Sequence, residues 1–186
     1  GGQGASPGSD DGAGTGGTVE FIVDGGSLTA DGILASASGR GGVAYPSSTP
    51  ALAGNGRGGT VRFLITGGTA DIGSLSLVAQ GEGGEIYPSE GGGVGGAIAG
   101  QGTGGTVVLE SRGGTLQANT INVDASGIGT SEYMSYQASG TNGGAGMGGI
   151  ASLLMAAGGS GQVTGEGGVT VQASGIGGVG TGAGGT

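Results

Sequence analysis

The chain has 186 residues, of which 56 are glycine and 4 are proline, and 13 acidic residues against four basic ones give a net charge of −9. It contains no cysteine, histidine, tryptophan or lysine, which excludes disulfides, Cys/His metal sites and histidine-based catalysis. The acidic balance excludes a basic footprint for nucleic acid, and the scarcity of proline excludes collagen.

Internal repeats divide the chain. A Gly-Gly-Thr-Val motif opens blocks at 16–19, 58–61 and 104–107, and a degenerate copy opens another at 148–150. The predicted units are the end of a preceding repeat (1–15), four repeats (16–57, 58–103, 104–147 and the degenerate 148–183) and the start of a further repeat (184–186). Such a pattern indicates a segment of a longer array.

Each repeat is predicted to begin with three short strands that are separated by glycine turns. Counted from the second glycine of the doublet, a turn glycine follows after nine residues and a closing glycine after 22. In the fourth copy the closing glycine lies 26 residues on, which indicates an insertion near 158–161. The glycines predicted at structural turns, where positive φ is tolerated, are Gly17, Gly26, Gly39, Gly59, Gly68, Gly81, Gly105, Gly114 and Gly127.

Apolar residues alternate with other residues within the strands and recur at the same offsets in successive repeats. Period two between glycine turns is a strand signal. Equivalent positions in stacked repeats are expected to lie above one another and form the core. These positions are Val19, Phe21, Ile33, Ala35, Ala37, Val61, Phe63, Leu75, Leu77, Ala79, Val107, Leu109, Ile121, Val123, Ala125, Val169, Val171 and Ala173.

The glycine-rich stretches that follow also keep a register. Tyr45, Tyr87 and Tyr133 each lie six residues beyond a closing glycine. This predicts ordered segments carrying a tyrosine ladder or contact surface, with glycine runs in extended, polyproline-II-like conformation packed backbone to backbone.

The fold class predicted from these patterns is all-β: a repetitive parallel β-solenoid, or β-helix, with glycine-rich, polyproline-II-like ordered excursions. Each repeat cannot bury its apolar face alone, so neighbours stack and build a continuous core. Glu20 and Arg62 would then be stacked neighbours on an outer face and form a weak surface pair.

No motif predicts catalysis, a cofactor or a metal centre, and the protein is predicted not to be an enzyme. Fragments similar to G-x-G-x-x-G lack a following helix, and a P-loop needs a lysine. The aspartates do not follow the G-G-x-G-x-D calcium repeat, so they are interpreted as solvated carboxylates that could bind Ca²⁺ only weakly. Thr18, Thr60 and Thr106 form one file, which strand propensity explains and which is narrower than an ice-binding face requires.

The Gly-Gly-Thr-Val opening, the 114–118 turn Gly-Thr-Leu-Gln-Ala and the closing I-x-V-x-A-S-G resemble glycine-rich β-strand-repeat bacterial surface proteins. These are passengers of the filamentous-haemagglutinin and autotransporter type, and the resemblance covers about residues 16–178. It implies a secreted, elongated β-solenoid that serves in adhesion, biofilm or surface fibres.

The expected function is therefore that of a non-catalytic, extracellular or cell-surface structural protein that forms a stiff rod or filament. Its expected partners are its own copies or further repeats of the same array, and surface glycans. Neither nucleic acid binding nor a membrane span is predicted. The alternatives are a β-solenoid binding module, either a carbohydrate-binding adhesin face or an ice-binding protein, and a disordered glycine-rich spacer.

Overall fold

The protein is built from four stacked layers. A computed structural model describes residues 12–45, 52–87, 96–131 and 142–180, and these four ranges are, in order, layers one to four. Every regular element in them is a β-strand. Their strands pair only in parallel, because each layer follows the path of the layer before it.

The strands differ greatly in length. In chain order they are β1 (Gly14–Thr15), β2 (Thr18–Ser36), β3 (Gly39–Arg40), β4 (Gly56–Arg57), β5 (Thr60–Val78), β6 (Gly81–Glu82), β7 (Gly102–Thr103), β8 (Thr106–Ser111), β9 (Thr115–Asp124), β10 (Gly127–Ile128), β11 (Gly146–Met147), β12 (Ile150–Met155), β13 (Ser160–Gln172) and β14 (Gly175–Ile176).

These strands form three separate parallel sheets. The largest has six strands: β5 pairs with β2 on one side and with β8 and β9 on the other, and β12 and β13 follow outward. Two four-stranded sheets are made of the two-residue strands, in the orders β1-β4-β7-β11 and β14-β10-β6-β3. The register joins equivalent repeat positions, so that Thr18 pairs with Thr60 and Thr60 with Thr106.

The prediction of a single β-solenoid is therefore wrong, although the all-β class agrees with the strands. The described residues form three distinct parallel sheets, one of them curled, and the described parts of the predicted polyproline-II-like excursions contribute short β-strands and isolated bridges. Glycine supplies the reason. Without side chains to hold them apart, the glycine segments approach each other closely enough to form sheets of their own.

The six-stranded sheet curls around one apolar core. In layers one and two its strand runs without interruption through a bend where Gly25, Gly26 and Gly68 have φ of 85°, 71° and 77°. Both halves of β5 contribute to the same buried cluster, with Phe63 and Ile65 before the bend and Ile72 after it. In layer three the strand is broken at 112–114, where the Ser111 hydroxyl donates to the carbonyl oxygen of Gly114 at 2.9 Å.

The two small sheets pack against each other through bare glycine backbone, which we call the glycine seam. A methyl group on Gly39, Gly81 or Gly127 would overlap a carbonyl oxygen of the facing sheet. Backbone hydrogen bonds also connect the two sides of the seam. The Gly54 amide donates to the Gly42 carbonyl at 2.9 Å, and the Gly84 amide donates to the Gly54 carbonyl at 2.8 Å. The seam thus requires glycine for close approach.

The extra residues of the fourth layer lie mainly after residues 158–161, where the insertion was expected. Pairing runs to Met155 opposite Ser111 and resumes at Ser160 opposite Thr115, which adds one residue. A second irregularity sets residues 164–167 against the single residue 119 and adds three. A bulge of this kind at the end of a sheet leaves the flanking pairs in register.

Candidate functional site

The most distinctive surfaces of the molecule are the two ends of the stack. Phe21 and Phe63 occupy the same position in layers one and two, and their rings stack with centroids 5.1 Å apart. Phe63 is completely buried, whereas Phe21 is 38% exposed. At the other end, Val171 is 47% exposed although its neighbour in layer three, Val123, is completely buried. The end layers present core positions to solvent.

Exposed apolar residues concentrate on these two layers. Of the 14 large exposed hydrophobic residues in the described ranges, layers two and three contribute Leu52 and Ile98, and the other 12 belong to the end layers. Those 12 are Phe21, Ile22, Leu34, Tyr45, Met147, Ile150, Leu154, Met155, Val169, Val171, Ile176 and Val179. Exposed apolar residues concentrated in this way favour an interaction surface at each end.

Backbone groups at the two ends also lack a neighbouring strand. Within the described ranges, β2 pairs with β5 alone, and β12 and β13 pair with β8 and β9 alone. One edge of each therefore carries unpaired amides and carbonyls, which form a template for a further parallel strand. We call the outer side of layer one the first end face and the outer side of layer four the last end face.

The predicted core positions lie in continuous columns, but they are not equally buried. In layers two and three all ten of them are buried. In layer one Ala35 and Ala37 are buried, whereas Val19 and Ile33 are half-buried; in layer four Val169, Val171 and Ala173 are exposed. Position in the stack decides the burial.

The predicted turn glycines have two different roles. Gly26 and Gly68 adopt positive φ, as a turn requires. The other seven (Gly17, Gly39, Gly59, Gly81, Gly105, Gly114 and Gly127) are outside the positive-φ set. For all of these except Gly17, a Cβ atom would meet a neighbouring layer or sheet, so they serve close approach and not a turn.

Two of the three tyrosines predicted to form a ladder stack on one another. The Tyr45 and Tyr87 rings have centroids 5.7 Å apart, beside an isolated parallel bridge between Ala44 and Ile86. Tyr45 is 55% exposed, and the Tyr87 hydroxyl donates to Glu85 at 2.8 Å. Tyr133 lies outside the described residues.

A short network of charges crosses the first three layers. Arg62 Nη1 lies 3.3 Å from Glu20 Oε1, as the predicted surface pair requires, and Arg62 Nη2 lies 3.9 Å from Glu110 Oε2. Arg112 donates two hydrogen bonds to Glu110, from Nε at 2.6 Å and Nη2 at 3.0 Å. The Glu110 side chain is only 11% exposed, so it depends on these partners.

The fold should lose stability in acid through Glu110. The hydrogen bond from Arg112 holds the pKa of this carboxyl below its ordinary value; the charges of Arg112 and Arg62 act in the same direction, and desolvation opposes them. Because the folded pKa is lowered, this stabilisation is present above the unfolded value of about 4.3 and is lost as pH falls through the folded pKa. Melting temperatures of wild type and Glu110→Gln should therefore differ at pH 7 and converge only as the pH falls below the lowered pKa of this carboxyl. A difference that stays constant with pH would contradict this.

A shallow groove of about 440 Å³ runs beside the openings of the repeats. It is lined by the Gly-Gly doublets of layers two to four, by Thr60 and Thr106, and by Thr15 and Arg57. The threonine file ends at Ile150, and the adjacent file reads Thr15, Arg57, Thr103 and Met147. Arginine and methionine interrupt the hydroxyl array, so the groove does not favour an ice-binding face.

Two aspartates act as hydrogen-bond acceptors between layers. Asp24 accepts from the Thr66 hydroxyl at 2.7 Å, and Asp124 accepts from the Gln80 side chain at 2.7 Å. In the part of the chain that the structure describes, three or more potential metal-ligating side chains never come together. The same part contains no helix that could span a membrane.

Sequence reasoning missed a second, smaller core. It consists of Ala44, Ala53, Ile86, Ala97 and Ala99, all buried, and lies apart from the main cluster. A signal was present, because Ala-Leu-Ala at 51–53 recurs as Ala-Ile-Ala at 97–99, 46 residues on. This cluster anchors the segments that carry Tyr45 and Tyr87.

Comparison of the chain with protein-family models, with curated proteins and with solved structures gives no match. The functional interpretation therefore depends on the end faces, the columns and the glycine seam.

Proposed function

We propose that this chain is a non-catalytic structural repeat protein of the cell exterior, and that its stacked layers form part of a stiff rod or filament that serves adhesion, biofilm or fibre formation. One observation carries the proposal: the same column positions are buried inside the stack and exposed at both ends. Open ends of this kind can accept further layers, as a rod or filament requires.

The spacing of the layers sets how many of them a rod requires. Neighbouring parallel strands lie about 4.8 Å apart, so four layers span only about 14 Å along the stacking direction. A rod much longer than it is wide therefore needs many more layers. Stiffness would come from the continuous core and from the glycine seam, in which a side chain cannot be accommodated.

Electron microscopy and X-ray fibre diffraction of the native material test this function. We expect rods or fibres with a reflection near 4.8 Å along the long axis. Surface labelling of intact source cells with an antibody against the chain tests its location. Isolated globular particles, or labelling only after the cells are lysed, would count against the proposal.

A carbohydrate-binding face is the second candidate, favoured by the exposed Tyr45 ring stacked on Tyr87. Aromatic rings offer an apolar surface with a polar edge, which suits a sugar. Glycan-array binding that is lost in Tyr45→Ala and retained in Leu34→Ala, a still more exposed apolar control, would favour it.

A further inference from the structure

The two end faces are complementary to each other. The contact that they would make has the same form as the contacts between adjacent layers inside the molecule. Layer two receives layer one on one side and layer three on the other, in the same register. The first end face therefore has the shape of a surface that binds a preceding layer, and the last end face has the shape of a surface that binds a following one. Such head-to-tail contacts do not close on themselves and propagate.

We infer that the first end face of one copy binds the last end face of a second copy of this chain. In this contact, β2 pairs in parallel with β12 and β13 of the neighbour, so that copies join head to tail into one continuous stack. This inference rests on the proposed structural function and names its partner.

The register fixes which residues would meet. Continuing the columns places Phe21 on Leu153, Ile33 on Val169 and Ala35 on Val171 of the neighbouring copy. These pairs repeat the apolar contacts found inside the stack, such as Leu77 on Val123. Ser27 would meet Ser160, which already shares a hydrogen bond of 3.0 Å with Thr115 in the layer below it.

Charge opposes the contact only mildly. Glu20 belongs to the same column as Ser152 of layer four, so in this contact it would meet a serine of the neighbouring copy and no carboxylate. Asp31 would lie near the 164–167 bulge, which contains Glu166, and each copy carries a net charge of −9. Salt should therefore strengthen association by screening this repulsion.

A single methyl group can block the first end face without disturbing the fold. A Cβ atom on Gly59, Gly105 or Gly149 would overlap the carbonyl oxygen of the preceding layer's doublet. Gly17 is the equivalent residue of layer one, and a Cβ there would have no atom of the described residues within 4 Å. Gly17→Ala should thus fold normally and collide only with an incoming copy. Val171→Asp blocks the last end face, since it puts a carboxylate into the apolar contact.

Sedimentation velocity of the full chain over a concentration series tests the inference. Wild type should form a ladder of species that grows with concentration and with NaCl from about 20 to about 500 mM. Gly17→Ala and Val171→Asp should each weaken association at least about tenfold. The matched controls are Gly32→Ala, whose methyl would lie 3.6 Å from the Ser74 carbonyl on the inner side of layer one, and Gln172→Asp, which adds the same charge one residue along β13.

Mixing the two blocked variants gives the decisive result. Gly17→Ala keeps a free last end face and Val171→Asp keeps a free first end face, so an equimolar mixture should form dimers of one copy each and nothing larger. If copies instead associated first face to first face or last face to last face, the mixture would behave no differently from the separate variants. That result would overturn the inference. So would a wild type that stays monomeric at high concentration with a folded β circular-dichroism spectrum; an unfolded spectrum would instead contradict the proposed function itself.

Discussion

Gly59→Ala is expected to destabilise the folded monomer by about 3 kcal/mol, whereas Gly17→Ala should change its stability by no more than about 0.5 kcal/mol. The two residues occupy the same position of adjacent layers. A methyl on Gly59 would overlap the Gly17 carbonyl oxygen and approach the Gly16 backbone, which is not free to move because the Thr60 amide donates to that same carbonyl at 2.9 Å. Gly17 has no neighbour on that side among the residues that the structure describes.

Urea unfolding at a protein concentration too low for association measures both values. Gly105→Ala should repeat the loss seen for Gly59→Ala, because its methyl would overlap the Gly59 carbonyl oxygen. Equal losses for Gly17→Ala and Gly59→Ala would show that alanine is disfavoured at this position for a reason other than close approach between layers.

Phe63→Ala should destabilise the fold by about 3–5 kcal/mol, the usual cost of emptying a large buried site. Phe63 is completely buried between Phe21 and Leu109 of the adjacent layers. Phe21→Ala should destabilise it by only about 1–2 kcal/mol in the monomer, since more than a third of that residue is already exposed. The measurement is again the free energy of unfolding in urea.

Comparing the stability losses of the two phenylalanine variants tests whether layer one is an open end of the stack. If Phe21→Ala were as damaging as Phe63→Ala, the first layer would have to be covered in the monomer. The control is Leu34→Ala, since Leu34 lies on the same strand and is 73% exposed. It should leave the unfolding midpoint unchanged.

The repeat spacing was sufficient to predict which residues share a column. Openings at residues 16, 58 and 104 give shifts of 42 and 46 residues, and these are the shifts by which Val19 pairs with Val61 and Val61 with Val107. Burial could not be predicted in the same way. Val171 and Val123 have the same residue type and column, and only the number of neighbouring layers distinguishes them.

The sequence pattern could not predict the structural role of each glycine either. Gly26 and Gly39 both end an apolar segment, yet the first bends the chain with positive φ and the second lies in β3, against the backbone of the facing sheet. A glycine in a sequence shows that a side chain is absent, but not whether torsion or space demands it. For that reason the sequence pattern predicts excursions from one coil, whereas the described parts of the glycine segments form two sheets of their own.

The layered path also determines how the protein would yield to a mechanical load. Each layer is one continuous run of chain, and it adheres to the next through hydrogen bonds directed along the stack. Tension applied between the two termini would detach layers singly from an end, because the pulled layer leaves without shearing the others. Successive repeat openings are 42, 46 and 44 residues apart, so each rupture would free roughly 14–16 nm of chain. A chain of such layers would therefore lengthen under load in discrete steps and would dissipate energy at each step.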